Sequence, residues 1–276
     1  MKHRILSALA LSTLALPFAA AAAQSASESV TPPPKVLVII REYLKPGKAG
    51  SLHAKTESVY VKAMVDAKSP THYIAMDSIS GPDRSLFIMG YDSFEAYGKD
   101  METQNANASL AAATDQATIA DGELLEKSEE HVFVYHPEMS VHAAVDVPHQ
   151  RYWEFTSFRI KPGHEKEWNE LVKMYVDGFN KLPDAHWALF ESKWGENNGG
   201  AWISINPMRS LAEADRGLAD SNAFYAAEGD ANMQHAGELA AACIESVQTN
   251  IFVVNPKISY AADEWATAAP EIWGQH

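Results

Sequence analysis

Apolar runs and helical stripes alternate along the chain in an order that occurs twice. Each copy opens on a run that indicates a strand, "KVLVIIREY" or "RYWEFTSFRI". A Lys-Pro-Gly turn ends that strand, because proline cannot donate to a β-ladder. A helix, two strands, a second helical region and a last strand follow, which gives the ferredoxin-like order βαββαβ.

The first helix of each copy is predicted from the spacing of its apolar residues. In the second copy Trp168, Leu171, Val172, Tyr175 and Phe179 recur at three- and four-residue steps. This is the period of a helix with one buried face. In the first copy a weaker stripe is predicted to form the buried face, and its members are Leu52, Val59, Ala63 and Ala67.

Three pairs of segments show that the two copies are an internal repeat. They are "YLKPGK" and "RIKPGH", "HYIAMDS" and "HWALFES", and "HVFVYHPEMS" and "NIFVVNPKIS". Self-similarity of this kind indicates a duplicated structural unit. The predicted organisation is a signal peptide over 1–23, a flexible leader over 24–34, a first ferredoxin-like unit over 35–140, a linker over 141–150, a second ferredoxin-like unit over 151–260 and a C-terminal tail over 261–276.

Several strands are apolar on both faces. The runs "VLVII", "SLFIMG" and "IFVV" do not alternate with polar residues, so both faces of these strands should be buried. Helices can cover only one face of a four-stranded sheet. The predicted fold class is therefore α+β, with two tandem ferredoxin-like βαββαβ units packed sheet to sheet as an intramolecular pseudo-dimeric α/β barrel.

The βαββαβ order, the strand–"KPG"–helix openings and the terminal strands "VFVYHP" and "IFVVNP" resemble the dimeric α/β-barrel superfamily. This superfamily includes antibiotic-biosynthesis monooxygenase-like and NIPSNAP-like domains. The resemblance implies that one chain supplies both halves of the barrel. Members include cofactor-independent oxygenases, haem-handling enzymes, small-molecule isomerases and domains of no known activity, so the fold alone constrains function little.

The N-terminal segment has the three parts of a secretory signal. A basic start with Lys2 and Arg4 precedes an apolar core and a run of alanines that ends at Ala23. We predict cleavage near Ala23 and a periplasmic or secreted protein. The apolar core is shorter than the roughly 20 residues that a membrane span requires, so the mature form is expected to be free of the membrane.

The chain is acidic, with a formal net charge of −14 that becomes −16 when Lys2 and Arg4 are removed. Such a surface repels phosphate backbones and anionic lipids, so neither nucleic acid nor a membrane is an expected partner. Cys243 is the only cysteine, which excludes an intramolecular disulfide. The mature protein is expected to be either a monomer with an internal pseudo-dimer or a homodimer.

Two histidines occupy matching places in the repeat. His72 and His186 are predicted at the first position of the strand that follows the long helix. Histidine titrates near neutral pH, so both are candidate catalytic acid/base groups. The structural alternative is that each ring holds the turn by hydrogen bonding a backbone carbonyl.

Histidine spacing gives no sign of a metal site. No HxxxH or HxH pair is present, whereas zinc sites usually contain at least one close pair of ligands. We therefore predict no metal and no cofactor. Haem stays open, because a single histidine ligand leaves no spacing to recognise.

All seven tryptophans follow residue 150. Trp153, Trp187 and Trp202 are predicted to lie on strands of the second unit, where they form either an aromatic ligand pocket or simply core. Glu154 and Arg159 add polar groups on opposite faces of one strand. These five residues are the predicted ligand-binding set.

The function predicted from the sequence is that of an exported α/β-barrel protein that binds a small apolar or aromatic molecule. It would oxidise or rearrange that molecule without a metal, in a cofactor-independent, monooxygenase-like activity with His186 as the acid/base group. One alternative is a non-catalytic binding or stress-related domain with a solid barrel core. A haem-binding protein is the other.

Overall fold

The computed structural model describes residues 30–195 and 200–274. The predicted signal peptide lies outside the described residues. The first unit contains β1 (Val36–Leu44), α1 (Ser51–Ala67), β2 (Ile74–Ser78), β3 (Arg84–Tyr91), α2 (Phe94–Ala106), α3 (Ala108–Gly122) and β4 (Leu125–Tyr135). The second contains β5 (Tyr152–Ile160), α4 (Glu165–Phe179), β6 (Ala188–Trp194), β7 (Ala201–Met208), α5 (Ala212–Cys243) and β8 (Ile244–Val254). The tail forms α6 (Asp263–Ala268) and α7 (Pro270–Trp273).

The eight strands close into one antiparallel barrel in the order β1-β3-β2-β8-β5-β7-β6-β4. The two units meet edge to edge at two seams. Met76 of β2 pairs with Val254 of β8, and Phe133 of β4 pairs with Ser192 of β6. The predicted intramolecular α/β barrel of two ferredoxin-like units is therefore confirmed.

The barrel interior is filled with apolar side chains over much of its length. The buried inner-face cluster includes Leu37, Ile39, Met76, Leu86, Phe133, Phe155, Phe190, Ile203 and Phe252. Helices α6 and α7 close one end of the barrel. The indole Nε1 of Trp273, a side chain only 1% exposed, donates a hydrogen bond of 2.8 Å to the carbonyl of Pro148.

The helices cover the outer face of the barrel. In α4 the predicted stripe is buried at Trp168, Leu171 and Val172 and partly buried at Tyr175 and Phe179, and Val176 is buried as well. Helix α5 changes direction at Gly229, whose φ of 75° lies in the left-handed region that favours glycine. None of the helices in the described part of the chain is long and apolar enough to cross a membrane.

The apolar stripe predicted for α1 was correct at Ala63, which is buried, and wrong at Leu52 and Val59. Leu52 and Val59 are 43% and 45% exposed. The buried residues of α1 are His53, Glu57 and Ala63. Polar side chains therefore occupy the face of α1 that packs on the sheet, and a hydrophobicity pattern cannot identify such a face.

Candidate functional site

A cavity of about 690 Å³ lies in the second unit, between the outer face of the sheet and helices α4 and α5. We call it the outer pocket. Its lining is mostly apolar, which is typical of small-molecule sites. The aromatic residues among the lining are Phe158, Trp168, Tyr175, Phe179, Trp187 and Tyr225.

A polar stripe crosses the floor of the outer pocket. Glu154 of β5 lies directly opposite Asn206 of β7, so the two side chains are neighbours on the outer face of the sheet. Oδ1 of Asn206 is buried and has no hydrogen-bond partner. Burial raises the pKa of Glu154 above its ordinary value of 4.5. Together they offer a carboxyl group and an amide to a bound molecule.

His186 lines the outer pocket, but both of its ring nitrogens face backbone carbonyls. Nε2 is 2.7 Å from the oxygen of Pro207 and Nδ1 is 3.1 Å from the oxygen of Asp184. These contacts tie the turn before β6 to the end of β7. They match the turn-holding alternative.

His72 lies two residues before β2, not at its first position. Its ring stacks on Tyr260 with 4.5 Å between ring centroids, and its Nδ1 is buried without a hydrogen-bond partner. It lines neither the outer pocket nor the barrel mouth described below. The catalytic roles of His72 and His186 stay predictions.

The three predicted tryptophans lie in three different environments. Trp187 lines the outer pocket and donates from Nε1 to the carbonyl of Met139 at 3.2 Å. Trp202 packs under the helices with its ring 5.7 Å from that of Trp168. Trp153 points into the apolar end of the barrel. The structure therefore brings together Glu154, His186 and Trp187 of the predicted set.

Arg159 belongs to a second cavity, at the end of the barrel opposite the tail. We call this cavity of about 240 Å³ the barrel mouth; Arg41 and Arg84 also line it. Arg84 is only 7% exposed, and its Nε and Nη2 have no hydrogen-bond partner. Its guanidinium lies 5.2 Å from the ring centroid of Phe252. Glu154 and Arg159 thus face opposite sides of β5, as predicted.

A buried polar cluster occupies the space between sheet and helices in the first unit. Its members are Glu42 of β1, His53 and Glu57 of α1 and Asp121 of α3, and we call it the His53 cluster. Nε2 of His53 is 3.0 Å from Glu42 Oε2, 3.4 Å from Asp121 Oδ1 and 3.7 Å from Glu57 Oε1. One donor atom from each of the four residues lies within 4.8 Å of the others.

Two carboxyl groups of the His53 cluster, those of Glu57 and Glu42, have raised pKa values. Burial, with the nearby carboxylates of Glu42 and Asp121, raises the pKa of Glu57 to about 10. Burial also raises the pKa of Glu42, although its hydrogen bond with His53 acts in the opposite direction. As the side chains stand, Glu57 keeps its proton at neutral pH.

Sequence reasoning missed the His53 cluster. Its one local signal is the pair His53 and Glu57, four residues apart and therefore on one face of α1. The prediction of no metal rests on histidine–histidine spacings, which do not detect a pair of one histidine and one glutamate. Glu42 lies 11 residues before His53, on β1, and Asp121 lies on α3, so neither belongs to a pattern within α1.

Haem was the cofactor left open by the sequence, and the outer pocket does not fit a histidine-ligated haem. His186 is the histidine that lines this pocket among the described residues. Its two ring nitrogens already face the carbonyls of Pro207 and Asp184. Coordination of a haem iron by either nitrogen would displace the carbonyl that this nitrogen faces.

No family model matches the sequence, and no curated protein matches it. Solved structures do match. An anthrone oxidase-like protein is 14% identical with a TM-score of 0.50, covering 80% of this chain and 92% of its own. A candidate monooxygenase from Fusobacterium nucleatum subsp. nucleatum is 15% identical with a TM-score of 0.49, covering 79% and 91%. A mutant chlorite dismutase from Candidatus Nitrospira defluvii is 9% identical with a TM-score of 0.47, covering 84% and 96%.

At these identities the similarity shows the fold alone. The match to the anthrone oxidase-like protein extends over both units and agrees with the closed eight-strand barrel. The protein therefore shares this α/β-barrel fold, as the sequence predicted, with both halves of the barrel in one chain.

Proposed function

We propose that the outer pocket binds a small apolar or aromatic molecule that carries one hydrogen-bonding group. The observation that supports this most is the pairing of Glu154 and Asn206 on the floor of a cavity with aromatic walls. The walls would bury the apolar part of the ligand. The unpartnered Oδ1 of Asn206 would accept a hydrogen bond from its polar group.

Glu154 is the acid/base group in this proposal. Its raised pKa brings a carboxyl group closer to neutral pH, where proton transfer is most efficient. Oxidation by O₂ and rearrangement, the two reactions predicted from the sequence, would both begin with removal of a proton from the ligand. His186 would hold the turn, because its nitrogens are engaged by carbonyls.

The experiment is a native mass spectrum of the protein purified from its own host, with calorimetric titration of 1-naphthol as a defined probe. Gly217 lines the outer pocket, and a Cβ added there meets nothing within 4 Å. Gly217→Leu should therefore fill the pocket and weaken binding by at least about tenfold. Gly98→Leu is the matched control, because Gly98 is also helical and also has open space.

The outcomes separate binding from catalysis. Loss of the bound mass in Gly217→Leu but not in Gly98→Leu supports the pocket. A ligand-free protein with no saturable 1-naphthol binding contradicts it. If Glu154→Gln binds the ligand but no longer converts it, Glu154 is the acid/base group. If the natural protein binds the ligand but does not convert it, the non-catalytic binding alternative is correct.

A second candidate function is the binding of a small anion in the barrel mouth. It is supported by the buried, unpartnered guanidinium nitrogens of Arg84 beside Arg41 and Arg159 in an otherwise acidic protein. Sulfate should raise Tm more than NaCl of equal ionic strength, and Arg84→Met should abolish the difference. Arg216→Met, at an exposed ion pair with Glu213, should keep it. Equal shifts in all three proteins would contradict anion binding there.

We also propose that the protein is exported, on the strength of the three-part N-terminal segment that ends near Ala23. N-terminal sequencing of protein from the host should give Gln24 as the first residue. An intact N-terminus in the mature protein would contradict export by cleavage of this signal.

A further inference from the structure

We propose that Glu42, His53, Glu57 and Asp121 bind one divalent transition-metal cation, Zn²⁺ or Mn²⁺, inside the first unit. The proposed site is separate from the outer pocket and the barrel mouth. It does not depend on the proposed function of either.

Hydrogen bonds within the His53 cluster leave some of its buried polar atoms without a partner. Nε2 of His53 faces three carboxyl groups, yet it carries at most one hydrogen. Oε1 of Glu57 is left without a hydrogen-bond partner in a residue that is only 3% exposed. Buried carboxylates are normally paired or coordinate a metal. A divalent cation at the centre would offset two of the three negative charges and would give Oε1 of Glu57 a partner.

The other ring nitrogen of His53 is held by a polar chain of the kind that supports metal ligands. Oγ of Ser85 donates to Asp77 Oδ1 at 2.7 Å, so towards His53 Nδ1, 3.4 Å away, it can only accept. Nδ1 therefore carries a hydrogen, and the lone pair of a neutral ring is on Nε2. A histidine that ligates a metal usually donates its other N–H in this way.

Asp77 and Asp121 are anchored in turn. Asn255, just after β8, donates to Asp77 Oδ2 at 2.7 Å, and Thr56 donates to Asp121 Oδ1 at 2.8 Å. In metal sites, hydrogen bonds of this kind from the surrounding residues fix the orientation of the ligating side chains. The support comes from both units, because Asn255 belongs to the second.

The spacing of the donor atoms fits a cation. Nε2 of His53 is 3.0, 3.4 and 3.7 Å from the three carboxylate oxygens. Four ligands at about 2.0–2.1 Å around a tetrahedral centre are roughly 3.3 Å apart. The three distances from Nε2 are therefore close to that spacing, and all four donor atoms lie within 4.8 Å of one another.

The fold does not require a polar cluster at this place. The second unit has the same strand and helices there, and it fills the space with Phe158, Trp168 and Val172. The four polar residues of the first unit are therefore a local feature and not a consequence of the barrel.

The ligand set selects the class of metal. One imidazole nitrogen with three carboxylates suits zinc or manganese, whereas copper(I) prefers thiolate and thioether ligands. Calcium and magnesium take oxygen ligands almost exclusively, so the imidazole of His53 disfavours them.

The test is a calorimetric titration of chelator-treated protein with Zn²⁺ and with Mn²⁺, with bound metal measured after desalting. We expect one equivalent of metal and a rise in Tm. His53→Ala and Glu57→Gln should lower the affinity by more than the roughly 10–100-fold expected for Ser85→Ala, because they remove ligands and Ser85 only supports one.

The matched control is His235→Ala. His235 forms an ion pair of 2.7 Å with Glu170, and both side chains are about half exposed, so this variant should bind metal as the natural protein does. If His53→Ala fails to fold, Glu57→Gln and Ser85→Ala preserve the shape of the cluster and decide the result. Absence of stoichiometric metal in the natural protein, or unchanged affinity in the cluster variants, overturns the proposal.

Discussion

Between the sheet and its helices, the first unit has ionisable side chains and the second unit has aromatic ones. His53 and Trp168 are each the first buried residue of their helix. Glu42 and Phe158 are each the seventh residue of a nine-residue strand. The first unit thus places ionisable groups where the second places aromatic rings, with Phe158 and Trp168 5.2 Å apart between centroids.

One position on the inner wall of the barrel shows no such divergence. Phe133 and Phe252 are each the ninth residue of the last strand of their unit, and both are almost fully buried. The inner faces of the two units bury each other, so a polar substitution there would disrupt both. The outer layer of each unit packs only on its own helices and can change alone. Separate sites can therefore arise in the outer layer of each unit of a duplicated barrel.

We expect the greatest loss of stability when an aromatic ring is removed from the outer layer of the second unit. Trp168→Ala should lower the free energy of unfolding by about 3–5 kcal/mol, because the removed ring leaves a cavity in a buried cluster. Urea denaturation measures the change. Trp194, 58% exposed, supplies the control: Trp194→Ala should cost no more than about 0.5 kcal/mol. Similar losses in both variants would show that the aromatic layer is not core.

An intermediate effect is expected from the polar filling in the first unit. Ser85→Ala should lower the free energy of unfolding by about 1–3 kcal/mol, because Asp77 loses a buried donor and His53 an acceptor. The measurement is urea denaturation in the presence of a chelator. Ser58→Ala, which removes an exposed hydroxyl, is the control and should be nearly neutral. A neutral Ser85→Ala would mean that the chain through Asp77 does not stabilise the fold.

The smallest effect is on the pH dependence of stability and arises from Glu154 in the second unit. The folded protein holds the proton of Glu154 more tightly than the unfolded chain does, because burial raises the pKa. The unfolded carboxyl loses its proton first, so the stabilising contribution is complete below about pH 4.5 and declines as the pH rises towards the folded pKa.

Glu154→Gln should therefore flatten the pH dependence of stability above the ordinary pKa, as measured by urea midpoints across the acidic range. Glu170→Gln is the comparison, since Glu170 is more than half exposed, and it should leave the slope unchanged. A slope that survives in Glu154→Gln would assign it to other groups.

The sequence was sufficient for the fold because the barrel is specified by repeated periodic segments. Most residues of the predicted strand runs are buried, although Ile251 and Val253 are only partly buried, and the stripe beginning at Trp168 is buried or partly buried. The buried face of α1 was assigned wrongly at Leu52 and Val59, which are exposed while His53 and Glu57 are buried. Hydrophobicity identifies apolar faces, and this face is polar.

The candidate sites were only partly predictable. Glu154 and Trp187 do line one cavity, but Asn206 was missed, since only strand register shows that it lies opposite Glu154. Arg159 was grouped with them although it lines the barrel mouth. Glu42 and Asp121 meet His53 through tertiary packing. Contacts between distant segments leave no local pattern, which is why the His53 cluster was not found.

The two seams of the barrel have a consequence for the order of assembly. Strand β2 pairs with β8, the last strand of the chain, and β4 pairs with β6. Until the second unit has been synthesised, the first unit has two unpaired strand edges and an uncovered apolar inner face. Exposed edges of this kind readily pair with other chains. A chain that stops after residue 140 would therefore tend to pair with a second copy of itself, re-creating from two molecules the barrel that the duplication encloses in one.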